Sequence, residues 1–170
     1  MKPVITVIAI AAVTALAAST VGAAVKAAAA PTPPSAMFKS GYNKCKLATL
    51  AALNKTTGKK LVKAKFDGKT CTWSSSDGNY VILVDTHPAG YLEFLGPTLG
   101  TSPNGDVAAR ITVPGSSKAV LDTHAYANTH RYQKDLFAVY QQGIVQVSMD
   151  YATALPTRTI IAVERLLTHT

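Results

Sequence analysis

The chain has 170 residues, is 48% hydrophobic and carries a formal net charge of +8. Those values exclude a chain too short or too polar for a core, because a domain of this size buries about two-thirds of its unfolded surface. Only two cysteines occur, Cys45 and Cys71.

Met1-Lys2-Pro3 gives a short positive start, and Val4 to Ala18 is an uncharged apolar run. Val21-Gly22-Ala23 fits a small-x-small cleavage pattern, so residues 1–23 are expected to be a secretory signal peptide. A second cut site follows Ala30, and Val4 to Val25 is also long enough to act as an uncleaved membrane anchor. The second half of that run is mostly Ala and Ser, which partition weakly, and this favours cleavage. No cysteine closes the run, which argues against lipid-anchored export. Residues 24–37 are Ala- and Pro-rich and read as a linker, leaving residues 38–170 as one domain. In an oxidising compartment the even cysteine pair most simply forms a bridge, Cys45 to Cys71; a free-thiol nucleophile is the alternative.

Cys45 opens a helical pattern in which Leu47, Leu50, Ala51, Leu53 and Asn54 recur at helical spacing, and Gly58 is suited to a left-handed stop. Lys59 to Phe66 alternates in part and predicts an exposed strand or extended connection. Thr70 to Ser74 and Asn79 to Asp85 predict two strands joined around Ser75-Ser76-Asp77-Gly78, since Asp-Gly between apolar runs is a hairpin signal. Cys71 and Trp73 share a face of the first strand. Tyr80 to Val84 is apolar throughout, as expected of a central strand covered on both sides. Tyr91 to Leu95 predicts a short helix, Gly96 to Asp106 an irregular loop, and Val107 to Val113 a strand before the turn Pro114-Gly115-Ser116-Ser117. Lys134 to Tyr140 and Ile144 to Met149 predict a second hairpin around Gln142-Gly143. A terminal helix follows, with Pro156 in its first turn and Ile160, Val163, Glu164 and Leu167 at the helical period. The order implies an α+β fold: an antiparallel sheet built from hairpins, packed by an N-terminal and a C-terminal helix, with one disulfide.

Cys45-x-Leu47-x-Thr49-x-Ala51-x-Leu53, then Thr57-Gly58, then Cys71-x-Trp73, resembles the actinobacterial secreted and lipoprotein domain of unknown function, family 3558. Gly115-x-x-x-Ala119 and the Gly143 hairpin before a C-terminal helix are also similar to that family. The resemblance spans roughly Tyr42 to Leu167. It implies a cell-surface role and supplies no chemistry. The chain departs from the family in lacking a lipobox cysteine and in carrying Ala52 where an acid is common.

Each of His87, His124, His130 and His169 follows a threonine, and Asp85 and Asp122 lie two residues before His87 and His124. The spacing matches no ligand motif, so no metal or cofactor is expected. Ser116 and Ser117 sit in a turn without a G-x-S-x-G elbow, and Asp85, Asp122 and Asp150 could be nominated as paired carboxylates without a supporting motif. No catalytic residue is assigned. Charge is more informative. Lys39 to Lys69 holds nine lysines against one acid, a net of +8, whereas Thr70 to Thr170 has six basic and eight acidic residues, a net of −2. Lys55, Lys59, Lys60, Lys63, Lys65 and Lys69 are therefore the candidate residues for binding an anionic surface. The alternative is a solvated lysine-rich surface that aids solubility. The expectation is a monomeric, non-catalytic domain that is secreted or held at the cell envelope and contacts anionic wall polymer or lipid headgroups. Too few aromatics interleave the lysines to expect a stable nucleic-acid partner. A secreted hydrolase or metalloenzyme using the His and Asp residues, or a small-ligand sensing domain, remain as alternatives.

Overall fold

Alternation between buried and open side chains, repeated strand after strand, builds one antiparallel sheet. The computed structural model describes residues 32–91, 100–101, 106–126 and 130–169. The strands are β1 (Leu61–Phe66), β2 (Cys71–Ser75), β3 (Tyr80–His87), β4 (Gly100–Thr101), β5 (Val107–Ile111), β6 (Lys118–Tyr126), β7 (Arg131–Tyr140) and β8 (Gly143–Tyr151). The sheet order is β1-β2-β3-β8-β7-β6-β5-β4, with every pairing antiparallel. Two α-helices accompany it, α1 (Leu50–Thr57) and α2 (Thr157–Thr168). The fold class is α+β.

One set of alternate residues forms the main core. Trp73, Ile82, Val84, Leu136, Ala138, Val145, Val147 and Met149 cluster there with Leu53 of α1 and Ile160, Val163 and Leu167 of α2. The opposite set makes a second, smaller cluster of Val120, Phe137 and Ile144, flanked by Tyr91 and Val139. Its other members are largely polar. β3 corrects one expectation: Ile82 and Val84 are fully buried, but Val81 and Leu83 are half-buried. The strand is central, yet only one of its faces is fully covered.

The first helix also starts later than its sequence pattern predicts. Lys44–Leu47 is a 3-10 turn, Ala48 returns to extended backbone, and Thr49 caps α1 by accepting from the Ala52 N–H at 3.2 Å. Gly58 ends it at φ +68°, donating its N–H to the Asn54 carbonyl. Cys45 and Cys71 are bonded, with Cα atoms 5.2 Å apart, tying the 3-10 turn to β2.

Packing begins inside the segment read as a linker. Ser35–Phe38 is a 3-10 turn, Met37 is fully buried, and Thr86 Oγ1 donates to its carbonyl at 3.4 Å. The β7–β8 hairpin turns through Gln141 and Gln142, with Tyr140 opposite Gly143. A Cβ on Gly143 would lie 2.7 Å from the His87 carbonyl oxygen and 3.1 Å from the Phe38 ring, so the close approach of these backbones requires glycine. β6 was not anticipated as a strand. The expected signal peptide 1–23, the cleavage sites after Ala23 and Ala30, and most of the expected helix Tyr91 to Leu95 and loop Gly96 to Asp106 lie outside the described residues. Among the described residues, no helix is long and apolar enough to cross a membrane.

Candidate functional site

The lysine-rich segment folds as a helix end, a short connection and the edge strand β1. Lys55 is exposed on α1, Lys60 is exposed in the connection, and Lys59 is half-buried with its Nζ 5.9 Å from the Tyr80 ring centroid. The connection is pinned by an unusual clamp. Leu61 donates its N–H to Asn54 Oδ1 at 2.7 Å, and Asn54 Nδ2 donates to the Leu61 carbonyl at 3.1 Å. The Asn54 side chain thus pairs with the start of β1 as a strand would. A register shift between Leu61 and Lys63 then places Ala64 opposite Trp73, Lys63 opposite Ser74 and Lys65 opposite Thr72. Lys63 and Lys65 therefore share the sheet face that points away from Trp73.

Lys69 behaves differently from the other five. Its Nζ lies 3.0 Å from Asp85 Oδ2, an ion pair that raises its pKa through that hydrogen bond. Beside it Lys44 is buried. Its Nζ donates to the Lys69 carbonyl at 2.5 Å and lies 3.9 Å from Asp85 Oδ1; desolvation lowers its pKa despite the attraction of Asp85. Asp85, one of the acids that could be nominated as a paired carboxylate without a supporting motif, is the counter-ion of two lysines. Lys69 closes the disulfide loop and does not extend the row of free cations.

His87 on β3 and His124 on β6 lie on the same sheet face, and three acids meet the second of them. The register aligns Asp122 with Asp135 and Asp135 with Ser148. His124 Nε2 lies 3.3 Å from Asp122 Oδ2 and 3.7 Å from Asp135 Oδ2, and its Nδ1 lies 3.0 Å from Asp106 Oδ1. Asp135, only 6% exposed, accepts from Ser148 Oγ and, at 2.8 Å, from Gln133 Nε2. Gln146 Nε2 contacts Ser148 Oγ at 3.1 Å, while its Oε1 meets His87 Nε2 at 2.6 Å. A polar chain therefore runs from His87 to Asp106. His87 also stacks on Tyr91, with centroids 3.9 Å apart.

Of the histidines, serines and acids singled out in sequence, only Asp122 and His124 touch each other among the described residues, while Asp85 meets Lys69. Asp150 pairs with Arg131 at 2.8 Å, and His130 is an exposed turn residue at φ +50°. Ser116 donates to the Val113 carbonyl and Ser117 to the Val139 carbonyl, so both serve the turn. Asp106, Asp135, Gln146 and Ser148 were missed; a strand assigned to residues 118–126 would have brought Asp122 against Asp135. Chemically, the chain can hold polar groups in fixed orientation. Ser148 bonds a carboxylate and is not paired with an imidazole base, so its hydroxyl lacks the activation of a serine nucleophile. Among the described residues, no group of three or more His, Cys, Asp or Glu is arranged to hold a metal ion.

Compared with models of known protein families, the chain matches none, and no curated protein matches it either.

Proposed function

We propose that this chain is an exported cell-envelope domain that binds, without catalysis, an anionic surface along its β1 edge. It would belong with the secreted domains of unknown function that its Cys-x-Leu-x-Thr-x-Ala and Cys-x-Trp segments resemble, with its sheet backed by α1 and α2. The observation that carries the reading is charge segregation. Lys55, Lys59, Lys60, Lys63 and Lys65 occupy one continuous unit, while Asp106, Asp122 and Asp135 cluster on β6, β7 and the approach to β5. Lysines on an edge strand, together with a bulge, also discourage edge-to-edge pairing, so exposure alone does not decide the matter.

Retention decides it. Purified cell wall, or vesicles containing acidic lipid, should hold the folded protein at about 50 mM salt and release it steeply by about 200 mM. Lys63→Gln with Lys65→Gln removes two cations, each worth about 1 kcal/mol near such a surface, and should weaken retention roughly thirtyfold. Retention that is absent at low salt, or indifferent to salt, would sink the reading.

A secreted hydrolase is the second reading, and one observation favours it: His124 stands between Asp106, Asp122 and Asp135. Chromogenic ester and phosphoester substrates should then be turned over, and His124→Gln should abolish turnover while leaving the amide spectrum intact. No turnover across the series removes this reading.

A further inference from the structure

A cavity of about 440 Å³ opens beside the basic edge, between the Lys59–Lys60 connection, the β2–β3 turn and the end of β8. Its volume lies within the roughly 300–1,000 Å³ typical of small-molecule sites. We propose that this cavity binds a phosphorylated polyol, a glycerol-phosphate-type unit with one phosphate and free hydroxyls. The inference rests on the reading of the β1 edge as a binding surface and names the chemistry recognised there.

The walls differ in character, and that difference selects the ligand. On one side stand Lys59 and Lys60, neighbours in sequence whose ammonium groups form no ion pair among the described residues. Adjacent cations favour a phosphate over a neutral sugar. On the other side lie Ser76, Asp77, Asn79 and Thr153. Asp77 accepts from Ser75 Oγ at 2.5 Å, from the Asn79 N–H at 3.0 Å and from Asn79 Nδ2 at 2.9 Å. Those bonds, the Ser75 hydroxyl foremost, push its carboxyl down to about 2, so it is an anion at neutral pH. A bare phosphate would meet this carboxylate unfavourably. An alcohol-bearing phosphate instead offers hydroxyl donors to the acidic side and charge to the lysines.

The site is also built in advance. Gly58 and the Asn54 clamp fix the lysine connection, and the Ala152 N–H donates to the Asn79 carbonyl at 3.1 Å, joining the end of β8 to the turn. Tyr80 and Tyr151, with ring centroids 6.4 Å apart, border the same cavity from the core, where both are buried, and give it a fixed floor. Groups held before binding lose little freedom on complex formation.

Titrating the folded chain with glycerol 3-phosphate, and following its amide resonances, tests the assignment. Saturable shifts should centre on Ser76, Asn79 and Thr153, with inorganic phosphate binding about tenfold more weakly and glycerol not at all. Lys60→Gln should weaken glycerol phosphate about tenfold, whereas Lys118→Gln, on β6 and away from the cavity, should leave it unchanged. Equal affinity for phosphate, absent saturation, or shifts spread along β1 would overturn the inference. Competition by phosphatidylglycerol vesicles would mark a lipid source for the unit, and competition by soluble wall polymer a polymer source. Wall retention that persists when glycerol phosphate fails to bind rejects this site alone. The reverse result rejects the wider β1-edge reading alone.

Discussion

Replacing Cys45 and Cys71 together by alanine should lower the unfolding free energy by about 3.5 kcal/mol. The bond closes a loop with a sequence separation of 26, and most of its contribution comes from restricting the unfolded chain. The native geometry has independent support at the same place. Lys44 Nζ holds the Lys69 carbonyl at 2.5 Å and faces Asp85, linking nearly the same two points without covalency. The doubly substituted protein should therefore stay folded and lose close to the entropic value. For a domain with ordinary stability of about 5–15 kcal/mol this is a large fraction. Urea unfolding at pH 7 gives the comparison through the extrapolated free energy, with a steeper slope expected because the uncrosslinked unfolded chain exposes more surface. A loss under about 1 kcal/mol would mean that the unfolded chain gains little freedom when the bond goes.

Glu164→Gln should act in the opposite direction, with a gain that builds as pH rises from 4.5 and is complete above about 7. Glu164 is fully buried on α2, accepts a hydrogen bond from the Tyr140 hydroxyl at Oε1, and has no hydrogen-bond partner for Oε2 among the described residues. Burial pushes its carboxyl from 4.5 up to about 7, while hydrogen bonds from Tyr140 and Thr168 pull the other way without prevailing. The folded protein therefore keeps a proton between pH 4.5 and 7 that the unfolded chain has released. Stability is whole below that window, falls as pH rises through it, and above it is short by about 3 kcal/mol. Glutamine is neutral throughout and its amide oxygen can still accept from Tyr140. The variant should gain about 3 kcal/mol at pH 8 and almost nothing at pH 4. An equal change at both pH values would place its origin in packing rather than charge.

Local signals in this chain were legible where they were decided locally. Asp77-Gly78 marked the β2–β3 turn, Gly58 marked the helix end, and the Cys71-x-Trp73 spacing put both side chains on the buried face. The helix start was misread because Leu47 falls in register with Leu50 and Leu53, although Ala48 and Thr49 are extended between them. A capping threonine outweighed periodicity there. β6 escaped notice because Val120 enters one apolar cluster while Ala119 and Leu121 enter the other. No alternation remains to announce a strand covered on both faces.

The candidate site divides along the same line. A run of lysines is visible as composition; Lys63 and Lys65 lie on the edge strand β1, Lys55 on α1, and Lys59 and Lys60 between them. The neutralisation of Lys69 by Asp85 depends on β3 lying beside β2, and the meeting of His124 with Asp135 depends on β6–β7 register. Both are long-range facts that residue spacing does not encode.

The Cys45–Cys71 bond has one more consequence, for what a protease can do to the chain. Lys46, Lys55, Lys59, Lys60, Lys63, Lys65 and Lys69 all lie between the two bonded cysteines, and most are exposed. Cleavage after any one of them opens a covalent ring and does not sever the molecule. Both pieces remain joined through sulfur, so a nicked copy keeps its two halves together in folded register. The segment richest in cutting sites is also the one where a single cut releases nothing.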